Sequence, residues 1–185
     1  MKKYALVLVL AFLAGCPAKT EKELTAGEKF AAKFLTCKGC SKLSDNDLTT
    51  PRLKLVKDPA NKKLLFPAVQ VFYKKCPKAL DKAYEQLQMT FDPSKETKAS
   101  SADTNRRILV MLGNIFRHFK EQRDSGNSKI AESLGSAYPP TACMVLWPTR
   151  TFGGRVSEKF TCEAYVECLA DFTPRVLADA LEKSK

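Results

Sequence analysis

The chain has 185 residues, 31 Lys and Arg against 20 Asp and Glu, a formal charge of +11 and 44% hydrophobic residues. A chain of this length and apolar content folds as a single domain and hides roughly two thirds of its surface, which excludes an extended disordered chain. It carries one histidine among seven cysteines and no phosphate-loop, dinucleotide, nucleophile-elbow, S-x-x-K or H-E-x-x-H motif, so no catalytic residue, metal set or cofactor is assigned.

Residues 1–16 read MKKYALVLVLAFLAGC. Lys2 and Lys3 make a short cationic start, and residues 5–14 run apolar without a charge. That run is too short to cross a bilayer as a helix and suits the central region of an export signal. It closes on Leu13-Ala14-Gly15-Cys16, which resembles the lipobox of bacterial lipoprotein precursors. The resemblance implies that residues 1–15 are removed and that the Cys16 thiol carries diacylglycerol. It implies a lipidated tether over residues 16–23, ahead of one helical domain over residues 24–185, held at a bacterial membrane and facing the periplasm or the cell exterior. Pro17, and not Asp, follows Cys16, and by resemblance to the inner-membrane retention rules of such lipoproteins this implies the outer membrane over the inner. The signal takes two lysines and no acid with it, so the charge falls from +11 to +9. The excess is greatest in residues 19–82, with 15 basic side chains against 7 acidic. Besides the membrane, reached through the Cys16 lipid, the expected partners are an anionic envelope polymer or an acidic protein; nucleic acid is not expected.

Phe30, Phe34 and Cys37 fall at helical spacing, predicting an amphipathic first helix that carries Cys37 and ends near residues 39–43. Ser44-Asp45-Asn46-Asp47 reads as a loop or cap. It is not a calcium loop, because Thr50 and Val56 stand where glycine and glutamate are needed. Thr50-Pro51, Asp58-Pro59 and Thr173-Pro174 place a capping side chain before proline and are expected to start helices. Pro67 and Pro77 divide residues 59–91 into pieces, 68–76 and 77–89. Residues 92–103 form a polar break expected to be a protease-sensitive loop.

Ile108, Met111, Leu112, Ile115, Phe116 and Phe119 make a continuous stripe, widened by Leu109 and Val110, that predicts the central core helix. His118 on that helix is read as a solvated or partly packed residue. A short helix is expected over residues 128–134. Helical period is then lost over residues 135–157, which predicts one long irregular loop whose Met144-Val145-Leu146-Trp147 run fills the core or forms a short strand. Ser157 is expected to cap a helix reaching Phe172, and residues 174–183 add a last one. The fold class is all-α: about six helices in a compact domain stapled by disulfides.

With Cys16 lipidated, Cys37, Cys40, Cys76, Cys143, Cys162 and Cys168 remain, which in an exported chain reads as three disulfides with 15 pairings open. On an unbroken helix Cys162 and Cys168 would be separated by roughly 9 Å of rise, beyond the roughly 7 Å reach of a disulfide, so each must find another partner. The same geometry turns Cys37 and Cys40 outward to separate partners. A class I cytochrome c start is similar to Gly27-Glu28-Lys29-Phe30 followed by Cys37-Lys38-Gly39-Cys40, but Ser41 holds the place of the haem-ligating histidine, so haem is not expected. The functional expectation is a non-enzymatic envelope lipoprotein that binds or scaffolds. The alternative is a periplasmic thiol–disulfide redox protein using Cys37 and Cys40. That chemistry calls for a cysteine at a helix N-terminus, whereas Cys37 is predicted late in a helix.

Overall fold

The computed structural model describes residues 23–95, 99–149 and 156–182, with side chains for all of these except 99–100 and 177–182. The fold is all-α. Among the described residues eight α-helices follow in order: α1 Ala26–Leu35, α2 Asp45–Lys57, α3 Lys62–Lys75, α4 Ala79–Thr90, α5 Ala99–Ser125, α6 Lys129–Leu134, α7 Pro139–Leu146 and α8 Cys162–Glu182. Cys16 and the whole of the signal lie outside the described residues.

Local chemistry sets the ends. Thr25 and Glu28 form a capping box at α1, and Ser44 and Asp47 form another at α2, each satisfying amides the first turn leaves unpaired. The expectation that Thr50-Pro51 starts a helix is therefore corrected: α2 begins six residues earlier and runs through Pro51. Asp58 does cap the 3-10 turn at residues 59–61, accepting from the Ala60 amide at 2.9 Å. Pro67 lies inside α3, and only Pro77 separates it from α4. At Gly27 α1 comes so close to α3 that a β-carbon would stand 2.5 Å from that of Pro67.

The polar break is shorter than expected. Residues 93–95 are a 3-10 turn and α5 has begun by Ala99, with Asp103 and Arg107 paired one turn apart at 3.2 Å; residues 96–98 lie outside the described ones. The expected irregular loop over 135–157 contains a helix. Tyr138 is extended, Pro139 and Pro140 occupy the first helical positions, and α7 follows. Its period is invisible in the sequence because residues 139–145 are all buried, and a helix buried all round needs no polar face.

Ser157 caps nothing: its hydroxyl bonds Lys159, while Thr161 accepts from the Ala164 amide at the start of α8. α8 also continues through Pro174, where the Thr173 hydroxyl donates to the Leu169 carbonyl at 2.7 Å.

α1 packs on α3, α4 on α5 and α8, and α7 lies against α2, α3 and α8. The core centre is thus α3, α7 and the first half of α8, not α5 as the stripe suggested. Phe72, Tyr138, Cys143, Trp147, Tyr165 and Leu169 are wholly enclosed there, and Phe160 stands edge-on to both Phe72 and Trp147.

Three disulfides staple the fold: Cys37–Cys40, Cys76–Cys162 and Cys143–Cys168, with Cα separations of 5.5, 5.5 and 5.6 Å. Cys162 and Cys168 avoid each other, as the rise of a helix requires. The outward reading of Cys37 and Cys40 is overturned, because α1 ends at Leu35 and Gly39, with φ 80°, turns the chain back so that the two bond each other. In the chain-entropy model the long bridge contributes about 4.6 kcal/mol, Cys143–Cys168 about 3.5 and the four-residue ring about 2.

Candidate functional site

Helix α5 is amphipathic over 27 residues, and its neighbours cover only part of its apolar stripe. Leu112, Phe116 and Phe119 are buried, whereas Met111 and Ile115 are half-buried and Val110 is 61% exposed. The uncovered part forms one wall of a groove of about 420 Å³. Ile130 and Leu134 from α6, Pro139 from α7 and Val176 from α8 make the other walls. Asn114, His118 and Thr173 are its polar members. Thr173 is already bonded to its own helix, His118 is 3.6 Å from Glu121, and Asn114 accepts from Arg117 at 2.7 Å. What faces the space is therefore mostly hydrocarbon.

One turn back along α5 a second depression, lined by Arg106, Arg107 and Val110, shares Met111 and Asn114 with the groove. Both guanidinium groups are exposed, and Arg107 is shared with Asp103. The groove accordingly has a hydrocarbon floor and a cationic end. Its size lies within the roughly 300–1,000 Å³ common to small-molecule sites.

The expected site cysteines are dispersed. Cys76–Cys162 joins the end of α3 to the start of α8, and Cys143–Cys168 is buried between α7 and α8. Two bridges reach the surface at one sulfur each: Cys37 and Cys162 are part-exposed, while their partners Cys40 and Cys76 are buried. Cys37 leaves the carbonyl end of α1, and the Glu158 carboxylate accepts from the Gly39 amide and the Ser41 hydroxyl, both at 3.2 Å. Cys37 is therefore not at the amide end of a helix, the position redox cysteines of this kind occupy. Among the described residues no group of three His, Cys, Asp or Glu is arranged to hold a metal, and no helix is long and apolar enough to cross a membrane.

The sequence reading misses Arg52. Its side chain is buried, and its guanidinium donates to four carbonyls: Phe34 at 2.8 Å, Thr36 at 3.5 Å, Met144 at 3.0 Å and Val145 at 3.1 Å. It also lies over the Phe34 and Trp147 rings, at 5.2 and 5.5 Å. The carbonyl ends of α1 and α7 thus share one cation, and burial lowers its pKa to about 10. The indole of Trp147 adds a 2.7 Å bond to the Phe34 carbonyl. No local signal marks Arg52, since its four acceptors come from segments far apart in the chain. The groove leaves one sign in the sequence: the α5 stripe is wider than one neighbouring helix covers.

No protein-family model matches the chain, and neither a curated protein nor a solved structure matches it. The functional reading therefore rests on the residues alone.

Proposed function

We propose that this chain is an exported bacterial lipoprotein, tethered through a diacylglyceryl group on Cys16, whose helical domain binds an anionic amphiphile without transforming it. The observation that carries the binding role is the hydrocarbon-floored groove between α5, α6, α7 and α8, which has Arg106 and Arg107 at one end. Such a site suits a ligand with an apolar chain and an acidic head. Each methylene removed from water contributes about 0.8 kcal/mol, so a chain of even eight carbons offsets a useful part of the cost of immobilising it. A lipid tether keeps the domain where such molecules are concentrated. The basic excess of residues 19–82 supports a second contact, with an anionic envelope polymer or an acidic protein beside the membrane.

Titration with a fluorescent long-chain carboxylate tests the groove. Binding is expected to fall at least tenfold in Ile115→Arg. In Arg106→Ala/Arg107→Ala it should weaken for the carboxylate and not for the corresponding alcohol. Equal binding by wild type and Ile115→Arg would remove the groove from consideration. The anchor is tested separately: metabolic labelling with a fatty acid should mark the wild type and leave Cys16→Ser unlabelled and released from the membrane fraction.

A second reading, thiol–disulfide redox chemistry at Cys37 and Cys40, is favoured by one observation: the two are bonded and Cys37 is part-exposed. Thiol trapping of freshly isolated protein, which should find the pair in both redox states, tests it.

A further inference from the structure

We infer that the Cys37–Cys40 disulfide is a thiol-reducible latch that clamps residues 156–160 onto the exit of α1. The inference deepens the redox reading of this pair and is independent of the groove.

Residues 156–160 approach α1 as a single antiparallel pairing, Thr36 opposite Lys159. Two backbone bonds make it: the Phe160 amide donates to the Leu35 carbonyl at 3.1 Å and the Cys37 amide to the Glu158 carbonyl at 3.0 Å. One bridge of this kind is too short to persist alone in water. What supports it is the disulfide ring. The turn that closes it, with Gly39 at φ 80°, aims the Gly39 amide and the Ser41 hydroxyl at the same Glu158 oxygen, each at 3.2 Å. Glu158 is thus held by its carbonyl and its carboxylate at once, and three of the four bonds end on residues 37–41. On the far side Phe160 is pressed onto the Phe72 and Trp147 rings.

The bridge is placed to be opened without unfolding the rest. It spans three positions in sequence, whereas Cys76–Cys162 and Cys143–Cys168 span 86 and 25 and tie separate helices together. Cys37 is part-exposed, as is Cys162, whereas Cys143 and Cys168 are buried, so what sets the Cys37–Cys40 bridge apart from Cys76–Cys162 is its short span. A small-molecule thiolate attacks the Cys37 sulfur, the Cys37–Cys40 bond breaks, and Cys40 leaves as a thiolate that takes a proton. A second thiolate then attacks the mixed disulfide and displaces the Cys37 thiolate, which is protonated in turn. In sum two thiols are oxidised to one disulfide and the protein bridge is reduced to two thiols, a transfer of two electrons.

The test uses the full chain under graded dithiothreitol, with alkylation, peptide mapping and hydrogen exchange. Cys37 and Cys40 should be alkylated at the lowest reductant concentration. At that point the Cys37 and Phe160 amides should exchange at least tenfold faster, while α3 and α7 keep their protection. Cys37→Ser/Cys40→Ser should show the same local change without reductant. Glu158→Gln, which keeps an acceptor oxygen without its charge, should show a smaller one with the bridge intact. Prior reduction of either long-range bridge, an unchanged Phe160 amide, or loss of α3 and α7 protection in the double serine variant would each overturn the latch, the last because the bridge would then be a global staple.

Discussion

Helices α5 and α7 invert what their sequences suggest. α7 has eight residues, two prolines at its start and almost no amphipathic period, yet residues 139–145 are all buried. α5 has 27 residues, the greatest length among the described helices, and a continuous stripe, yet it lies at an edge and leaves Val110 61% exposed. A helix central to a small all-α domain is covered on every side and needs no polar face, while a helix at the periphery shows its period most clearly. Strength of pattern therefore reports a boundary between hydrocarbon and water, and here that boundary continues into an open groove. Around α7 the fold is closed and tied by one cation; around α5 and α6 it is open.

The largest expected effect sits on the closed side. Arg52→Met removes the donor to four carbonyls while keeping much of the side-chain volume, and an unpaired buried acceptor costs about 1–3 kcal/mol, part of it recovered by water. A loss of about 4 kcal/mol in urea unfolding is expected from acceptors of this kind. A loss below about 1 kcal/mol, the cost of a single such acceptor, would mean that the ends of α1 and α7 hold together without the guanidinium, and the contrast with the open side would fail.

The buried tyrosines give a medium effect with a defined direction. Tyr73 and Tyr138 share a hydroxyl–hydroxyl bond of 3.2 Å, and Tyr165 donates to the Pro140 carbonyl at 3.2 Å. Burial pushes the Tyr138 phenol up to about 12, and the Tyr73 and Tyr165 phenols well above the ordinary value of 10. The unfolded chain loses these protons first, so their contribution is complete below pH 10 and declines as pH rises toward the folded values. From Tyr138 alone the decline is on the order of 3 kcal/mol by about pH 12, at about 1.4 kcal/mol per pKa unit. Arg52, whose folded pKa is lowered to about 10, acts in the opposite sense, one group against three. Urea unfolding between about pH 9 and pH 12, with phenolate absorbance as the reporter, should show stability falling and ionisation cooperative with unfolding. Phenolate forming at Tyr73, Tyr138 or Tyr165 near the ordinary value of 10 in the folded protein, as read from the matching Tyr→Phe variants, would contradict the enclosure of this cluster.

The smallest effect belongs to the open side. Val110→Ser and Leu134→Ser remove exposed side chains, 61% and 42% accessible, and should each change stability by no more than about 0.5 kcal/mol. A larger loss would show that the α5 and α6 faces are covered in solution.

Much of the architecture is legible in the sequence. The all-α class, the disulfide scaffold, the α1 stripe through Phe34, the break at Pro77 and the separate partners of Cys162 and Cys168 all follow from spacing and helical rise. The errors have physical causes. Thr50-Pro51 and Thr173-Pro174 look like helix starts, but Pro51 and Pro174 lie inside α2 and α8, and α2 already has its cap at Ser44. Cys37 reads as helical because it continues the i, i+4, i+7 series, whereas the chain turns extended at Thr36. Arg52 is not visible in the sequence, and the groove shows only in the breadth of the α5 stripe, since both arise where helices distant along the chain converge.

Cys143 lies within the span closed by Cys76–Cys162, and its partner Cys168 lies beyond it. The two bridges therefore overlap in sequence, and every peptide bond from residue 76 to residue 168 is spanned by at least one of them. A protease that nicks the chain once anywhere in that interval separates nothing: the pieces stay joined through sulfur, and the carboxy-terminal piece remains attached to whatever holds the amino-terminal one. Damage of that kind would appear as lost molecular mass only after reduction.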